Sequence, residues 1–267
     1  MNLKHVEGFL HTQELWNSTF DNVPQFIFPK IDLKKFNLKP IPENIRLGQQ
    51  IEYIFQHLIT SSLNYKTLIF NQPIRSENRT LGEIDFILQN TNNQEITHVE
   101  LTYKFYIIDD TISDEIHQLV GPNRKDAFFE KVQKIKNKQF SLLKTNEALK
   151  FLELNNIDPN KITSKACFKA QLFKPFNKHI TLQNLNQNCI IGSWLKFTDF
   201  DFLVFKECEY YVLTKQEWIV IPNTKVNWVT HDTALKTIKI AHELKRAPML
   251  WMKSSTNKIS KLFIVWW

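Results

Sequence analysis

The sequence is poor in glycine and cysteine and has no long apolar run. Only 5 of the 267 residues are glycine, and the phosphate-cradling motifs GxGxxG and GxxxxGK[ST] are absent. The three cysteines lie at least 19 positions apart, which excludes a disulfide framework and a CxxC metal site and indicates a reducing compartment. No apolar run approaches the ~20 residues of a membrane-spanning helix, and no signal-peptide pattern opens the chain. The sequence therefore predicts a cytoplasmic protein without a membrane partner.

What the chain does have is a globular composition with a concentrated basic segment. Hydrophobic residues make up 43% and charged residues 23%, which is ordinary for a folded protein, and the net charge is +7. Residues 121–150 contain eight basic against three acidic residues. Such a segment favours a nucleic-acid partner, although a solvated helix flank gives the same pattern. The candidate phosphate-binding residues are Arg124, Lys125, Lys131, Lys134 and Lys138.

Periodicity predicts an α/β protein with a mixed sheet. Helices are predicted at about residues 11–20, 43–61, 124–143 and 232–246, where apolar residues recur at helical spacing. Period-two alternation and apolar runs predict strands at 67–74, 82–89, 96–108, 165–173, 201–206, 209–221, 225–229, 248–253 and 261–267. Four prolines between residues 24 and 42 favour an extended lead-in over a continuing helix.

The strands at 82–89 and 96–108 carry the polar residues of greatest interest. Because side chains alternate across a strand, Glu100, Thr102 and Lys104 share one face of the second strand. The short connection makes the two strands hairpin neighbours, so Asp85 and Glu100 can converge on one side of the sheet. Two carboxylates with a nearby lysine are a plausible Mg²⁺ site, and Glu52 on the helix before the sheet offers a further carboxylate. The competing interpretation is a half-exposed antiparallel sheet with a solvated cross-strand pair.

Three further residues are candidate accessory groups. Gln139 occupies the middle of an apolar helix stripe, where a buried amide needs hydrogen-bond partners. It could reach into the carboxylate site or bond to backbone. Thr102 lies on the polar face of its strand, and Arg79 precedes the strand of Asp85, where it could meet a phosphate.

The order of these residues resembles the PD-(D/E)XK nuclease superfamily. The resemblance rests on Glu52, then GEIDFIL, then HVELTYKFY. More closely, the chain resembles a bacterial family known only as domain of unknown function 1853. The matching stretches are RLGQQIEYIFQHLI, RTLGEIDFIL, HVELTYKFY and VGPNRKDAFFEKVQKIKNKQ, with weaker matches at FKAQLFKPF, LTKQEWIVIP and RAPMLWMKSSTNKISKLFIVWW.

The resemblance implies a restriction-endonuclease-like mixed β-sheet flanked by helices, with a strand-rich C-terminal elaboration. The sequence has no clean boundary near residue 150, so we predict one elaborated domain: a wrapping segment at 1–43, a nuclease-like core at 44–144 and the elaboration at 145–267. The resemblance makes Asp85 and Glu100 the ligands of Mg²⁺ or Mn²⁺, Lys104 the catalytic lysine and Glu52 an auxiliary acid. The sequence departs from the superfamily at Thr102, which stands where the lysine normally lies, two residues after the carboxylate.

Two functions follow as expectations. The first is a Mg²⁺-dependent nuclease acting on DNA or RNA, with a homodimer as an open possibility. The second is a non-catalytic module that binds nucleic acid or protein on a degraded nuclease fold.

Overall fold

The computed structural model describes residues 2–33, 36, 40–42, 44–201 and 203–267. The chain forms two compact units, each assembled from separate stretches. Unit 1 comprises Met1–Leu3, Glu14–Tyr103 and Glu130–Lys169, and unit 2 comprises Lys4–Gln13, Lys104–Phe129 and Ala170–Trp267. Across the described ranges, none of the helices has the length and apolar character needed to cross a membrane.

Short runs of strands are separated by one or more helices along the chain. The α-helices are α1 (Leu3–His11), α2 (Leu47–Ser61), α3 (Glu115–Gln118), α4 (Phe128–Lys134), α5 (Phe140–Leu142), α6 (Asn146–Leu154), α7 (Leu203–Lys206) and α8 (His231–Glu243). The strands are β1 (Thr19–Phe20), β2 (Val23–Pro24), β3 (Tyr65–Ser76), β4 (Arg79–Asn90), β5 (Ile96–Ile108), β6 (Leu119–Val120), β7 (Ile162–Pro175), β8 (Ile190–Lys196), β9 (Glu209–Val212), β10 (Val229–Thr230), β11 (Met249–Lys253) and β12 (Ile259–Val265). A π-helical stretch, Ile135–Gln139, joins α4 to α5.

Unit 1 is built on strands in the order β3, β4, β5 and β7. The first three are antiparallel. Helix α2 buries its apolar stripe through Phe55, whose ring lies 4.5 Å from that of Phe86 on β4. Residues of α5 and α6 join residues of β3 and β4 in a second apolar cluster that includes Ile84, Ile87 and Leu152. Helices therefore pack on the sheet of this unit.

Unit 2 contains a mixed sheet in the order β7, β8, β12, β11, β9 and β10. The β7–β8 and β8–β12 pairs are parallel, and the remaining pairs are antiparallel. Helix α8 contributes Ala234 and Ile238 to a core cluster with Tyr210, Leu250 and other buried residues of this sheet. The mixed α/β architecture predicted from periodicity is confirmed.

Several predicted element boundaries are wrong. The predicted helix at 11–20 is instead α1, which ends at His11. The predicted strand at 201–206, of which residue 202 lies outside the described residues, is helical, with α7 burying Phe205 in the core of unit 2. The strand predicted at 209–221 is only β9, because residues 215–219 form a 3₁₀ turn. The strand predicted at 225–229 is only the two-residue β10. The start of the predicted helix at residue 43 falls outside the described residues, and α2 begins at Leu47.

The helix predicted over residues 124–143 is shorter and less regular in the structure. The regular helix begins only at Phe128, and the π-helical stretch interrupts it. Helix α6 was not predicted from the sequence. Its N-terminus is capped by Thr145, whose hydroxyl accepts a hydrogen bond from the Ala148 amide.

Close packing at Gly192 of β8 gives a test of unit 2. A Cβ there would lie 2.6 Å from the carbonyl oxygen of Lys261 and 2.7 Å from the ring of Phe173. We expect Gly192→Ala to lower the free energy of unfolding by about 1–3 kcal/mol, as overpacking does, measured by chemical denaturation. Gly48→Ala in α2 is the matched control, because a Cβ at Gly48 meets nothing within 4 Å. Equal stability of the Gly192→Ala and wild-type proteins would contradict the packing.

Candidate functional site

Asp85 and Glu100 lie together where the β4–β5 ladder ends. The last paired residues are Phe86 and Val99, so Asp85 and Glu100 occupy the next level of the hairpin. Beyond this point a side chain of β4 bonds to the backbone of β5: Asp85 Oδ2 accepts a hydrogen bond of 2.8 Å from the Leu101 amide. Glu100 is 2% exposed. The half-exposed, solvated interpretation of this face is therefore wrong for Glu100.

The sheet is distorted at the same level on the other side of β4. Pairing of β3 with β4 includes Phe70–Phe86 and Gln72–Ile84 but omits Asn71 and Asp85 between them. Asn71 has φ 48°, in the left-handed region that non-glycine residues rarely adopt. Its amide donates a 2.7 Å hydrogen bond to Glu52 Oε2 on α2. Backbone irregularities of this kind concentrate at functional sites, and this one connects Glu52 to the level of Asp85.

The α4–α5 helix provides the groups that contact Glu100. Gln139 is 9% exposed, and its side-chain nitrogen donates to both carboxylate oxygens of Glu100 at 3.1 Å. Lys131 Nζ lies 3.4 Å from Glu100 Oε1. Gln139 ends the π-helical stretch, in which the Phe140 amide bonds to the Ile135 carbonyl. A π-turn adds one residue to the helix and thereby changes which side chains face the sheet, a device common at functional sites.

Burial and mutual repulsion perturb the acids of this cluster. Desolvation, followed by the charge of Glu100, raises the pKa of Asp85 well above its usual range. Desolvation also raises the pKa of Glu100, although Lys131 and Gln139 oppose the rise. The pKa of Glu52 is raised by desolvation and by the charges of Glu83 and Glu100. Three acids thus share one electrostatic environment in which each additional negative charge is unfavourable.

Two further polar residues on this face of β5, Thr102 and His98, are buried. Thr102 is 3% exposed, and its hydroxyl has no hydrogen-bond partner among the described residues. His98 is fully buried, with Nδ1 3.2 Å from the Ser164 hydroxyl. Desolvation lowers the pKa of His98 to about 4, so its ring is neutral near pH 7.

The oxygen atoms of these carboxylates are the ligand type that a hard divalent cation prefers. An ionised carboxylate has ~four lone-pair sites that can accept hydrogen bonds or bind a cation. Gln139 and Lys131 make three contacts with Glu100, so the Glu100 carboxylate can accept at least one more. Asp85 uses one oxygen for the Leu101 amide. A cation between the two would offset their repulsion, and Mg²⁺ commonly uses one or two protein carboxylates with waters and phosphate. Within the described residues there is no group of three or more His, Cys, Asp or Glu side chains arranged to hold a metal.

Some predicted residues have other surroundings. Lys104 belongs to unit 2, where its ammonium lies 2.5 Å from Asp126 Oδ2. Arg124, also in unit 2, pairs with Asp109 at 2.8 Å and lies over the Trp267 ring. Lys125 is exposed in unit 2, and Lys134, Lys138 and Arg79 are exposed in unit 1.

Sequence reasoning missed two features of the site. Asn71 carried no signal beyond its place in an alternating strand, since its left-handed backbone is not visible in a pattern. Lys131 was predicted as a phosphate-binding residue and lies against Glu100 instead of open solvent, with its side chain 16% exposed. Gln139 did have a signal, namely an amide in an apolar stripe. Of the two alternatives predicted for it, the carboxylate site or the backbone, the structure shows contact with Glu100 of the carboxylate site.

Comparison with known proteins gives a family without an assigned activity. No curated protein and no solved structure matches this chain. One family model does match, over residues 9–265, and its description is domain of unknown function (DUF1853). The match extends over nearly the whole sequence. The chain therefore belongs to the DUF1853 family.

Proposed function

We propose that the protein is a Mg²⁺- or Mn²⁺-dependent nuclease with a restriction-endonuclease-like core. The observation that carries this proposal is the Asp85–Glu100 pair, two carboxylates with raised pKa values on adjacent strands. Keeping the buried Glu100 carboxylate beside the partly buried Asp85 carboxylate is costly unless a cation or a proton compensates the charge. The resemblance to PD-(D/E)XK nucleases, in which a helix glutamate and two strand carboxylates surround the metal, supports the same assignment.

The chain's own residues divide the work of phosphodiester hydrolysis. A divalent cation held by Asp85 and Glu100 would supply a Lewis acid for a phosphoryl oxygen. Gln139 fixes the rotamer of Glu100 by bonding both of its oxygens. Lys131 places a positive charge beside Glu100, where it can orient an attacking water and stabilise negative charge that develops on the phosphate.

A basic flank of the same unit supports nucleic acid as the substrate. Lys134 and Lys138 follow Lys131 along the helix and are exposed. The positive charge of Lys134 also lowers the pKa of Glu100. Lysines in such a row neutralise backbone phosphates, and the resulting affinity falls as salt rises.

Metal binding tests the proposal most directly. We expect calorimetric titration with Mg²⁺ or Mn²⁺ to show binding to the wild type, in the presence or absence of nucleic acid. The Asp85→Asn/Glu100→Gln double variant should bind at least about tenfold more weakly, because it removes both anionic ligands. Glu95→Gln/Glu153→Gln, which removes two exposed carboxylates of unit 1, is the matched control.

Two results would separate the nuclease from the binding module. Metal binding accompanied by metal-dependent cleavage of DNA or RNA supports the nuclease. Absence of metal binding by the wild type, with nucleic-acid binding intact, would contradict it and leave the non-catalytic module.

A further inference from the structure

Unit 2 contains a pocket of about 210 Å³ that is separate from the carboxylate cluster of unit 1. Its walls are mostly apolar and include Ile191, Ile219 and Ile259. Ligand pockets commonly measure ~300–1,000 Å³, so this one suits a small molecule. The polar residues of its lining include Thr12, Gln171 and Lys261.

Lys261 is the unusual member of this lining. It lies on β12, is 3% exposed, and pairs with Trp251 of β11 on one side and Gly192 of β8 on the other. Its ammonium donates to Gln171 Oε1 at 2.8 Å and to the Trp218 carbonyl at 2.6 Å. An ammonium has three donors, so these two bonds leave one.

No carboxylate balances the charge of Lys261 within the described parts of the chain. Its two hydrogen-bond partners are neutral, and none of the ion pairs between described residues includes it. Burial alone lowers its pKa to about 7, with no contribution from a neighbouring acid. Buried lysines are rare without a counter-ion, and an apolar residue of similar length would avoid the desolvation cost.

We propose that this pocket binds a small monocarboxylate, with the carboxylate on Lys261 and a short aliphatic body against the isoleucines. An anion would complete the third hydrogen bond of the ammonium and provide the missing counter-charge. The apolar walls match an aliphatic chain and exclude a highly charged ligand such as a nucleotide. This site is independent of the proposed nuclease activity.

The test compares hexanoate with hexanamide, which has the same chain and no charge. Calorimetry on the full chain at about pH 6, where Lys261 is protonated, should show hexanoate binding at least about tenfold more tightly than hexanamide. Lys261→Met should remove this preference. Lys258→Met removes an exposed lysine from the same hairpin and should leave it unchanged.

Three outcomes would overturn the proposal. The wild type binds neither compound, it binds both equally, or Lys261→Met retains the preference for hexanoate. The first two are read on the wild type alone, so the test holds even if the Lys261→Met protein does not fold.

Discussion

Lys131→Met should reduce metal-dependent cleavage by about 10²–10³-fold, the usual loss when a positioned charge is removed from a reaction site. Lys131 is the lysine that contacts Glu100 within unit 1, at 3.4 Å. Its charge also lowers the pKa values of both Asp85 and Glu100 and thus favours the anionic ligands. The measurement is the initial rate of cleavage of a labelled nucleic acid at saturating Mg²⁺.

Charge and shape can be separated at this position. Lys131→Arg keeps the positive charge and should retain more activity than Lys131→Met. Lys144→Met, at an exposed lysine of the same unit, controls for a general loss of positive charge. Circular dichroism must show that Lys131→Met is folded, because removal of the Lys131 ammonium leaves the buried Glu100 carboxylate without that positive charge and lowers the stability of the protein. Wild-type cleavage by a folded Lys131→Met protein would contradict the role of Lys131.

The same assay decides between Lys131 and Lys104. The resemblance assigns the catalytic lysine to Lys104, but that ammonium pairs with Asp126 in unit 2. If Lys131 carries the function, Lys104→Met should reduce cleavage much less than Lys131→Met. The reverse order would support the assignment by resemblance.

The carboxylate pair was predictable because the information that creates it is local. A short turn joins β4 to β5, and alternation then fixes which residues meet across the hairpin. The contacts of Lys131 and Gln139 were not predictable to the same degree, because they depend on how the helix rotates over the sheet. The π-helical stretch sets that rotation, and no sequence pattern reveals it.

The wrong prediction at residues 201–206 has a related cause. A short apolar run has no clear period, so it is compatible with a strand or a buried helical turn. The structure buries Phe205 of α7 beside Phe200 and Tyr210, in an aromatic core that the run alone cannot specify. Tertiary packing decided the element type here.

Burial of Lys261 should make the stability of the protein rise with pH above neutrality. An unfolded chain releases this proton near the ordinary lysine pKa of 10.5, whereas in the folded protein burial lowers the pKa to about 7. Between these values the unfolded state holds more protons, so the free energy of unfolding increases with pH. Below about pH 7 both states are protonated, and the contribution of Lys261 no longer changes.

The expected size is a gain of about 1–2 kcal/mol from pH 7 to 8.5 in the wild type relative to Lys261→Met, measured by urea denaturation. This window avoids Cys167, whose pKa burial raises from 9.0 to about 12 and which acts in the opposite direction at higher pH. His11, the other titratable residue of the pocket, is unchanged in the variant, so the difference isolates Lys261. Parallel stability curves for the two proteins would show that Lys261 keeps an ordinary pKa. The counter-charge argument for the pocket would then lose its physical basis.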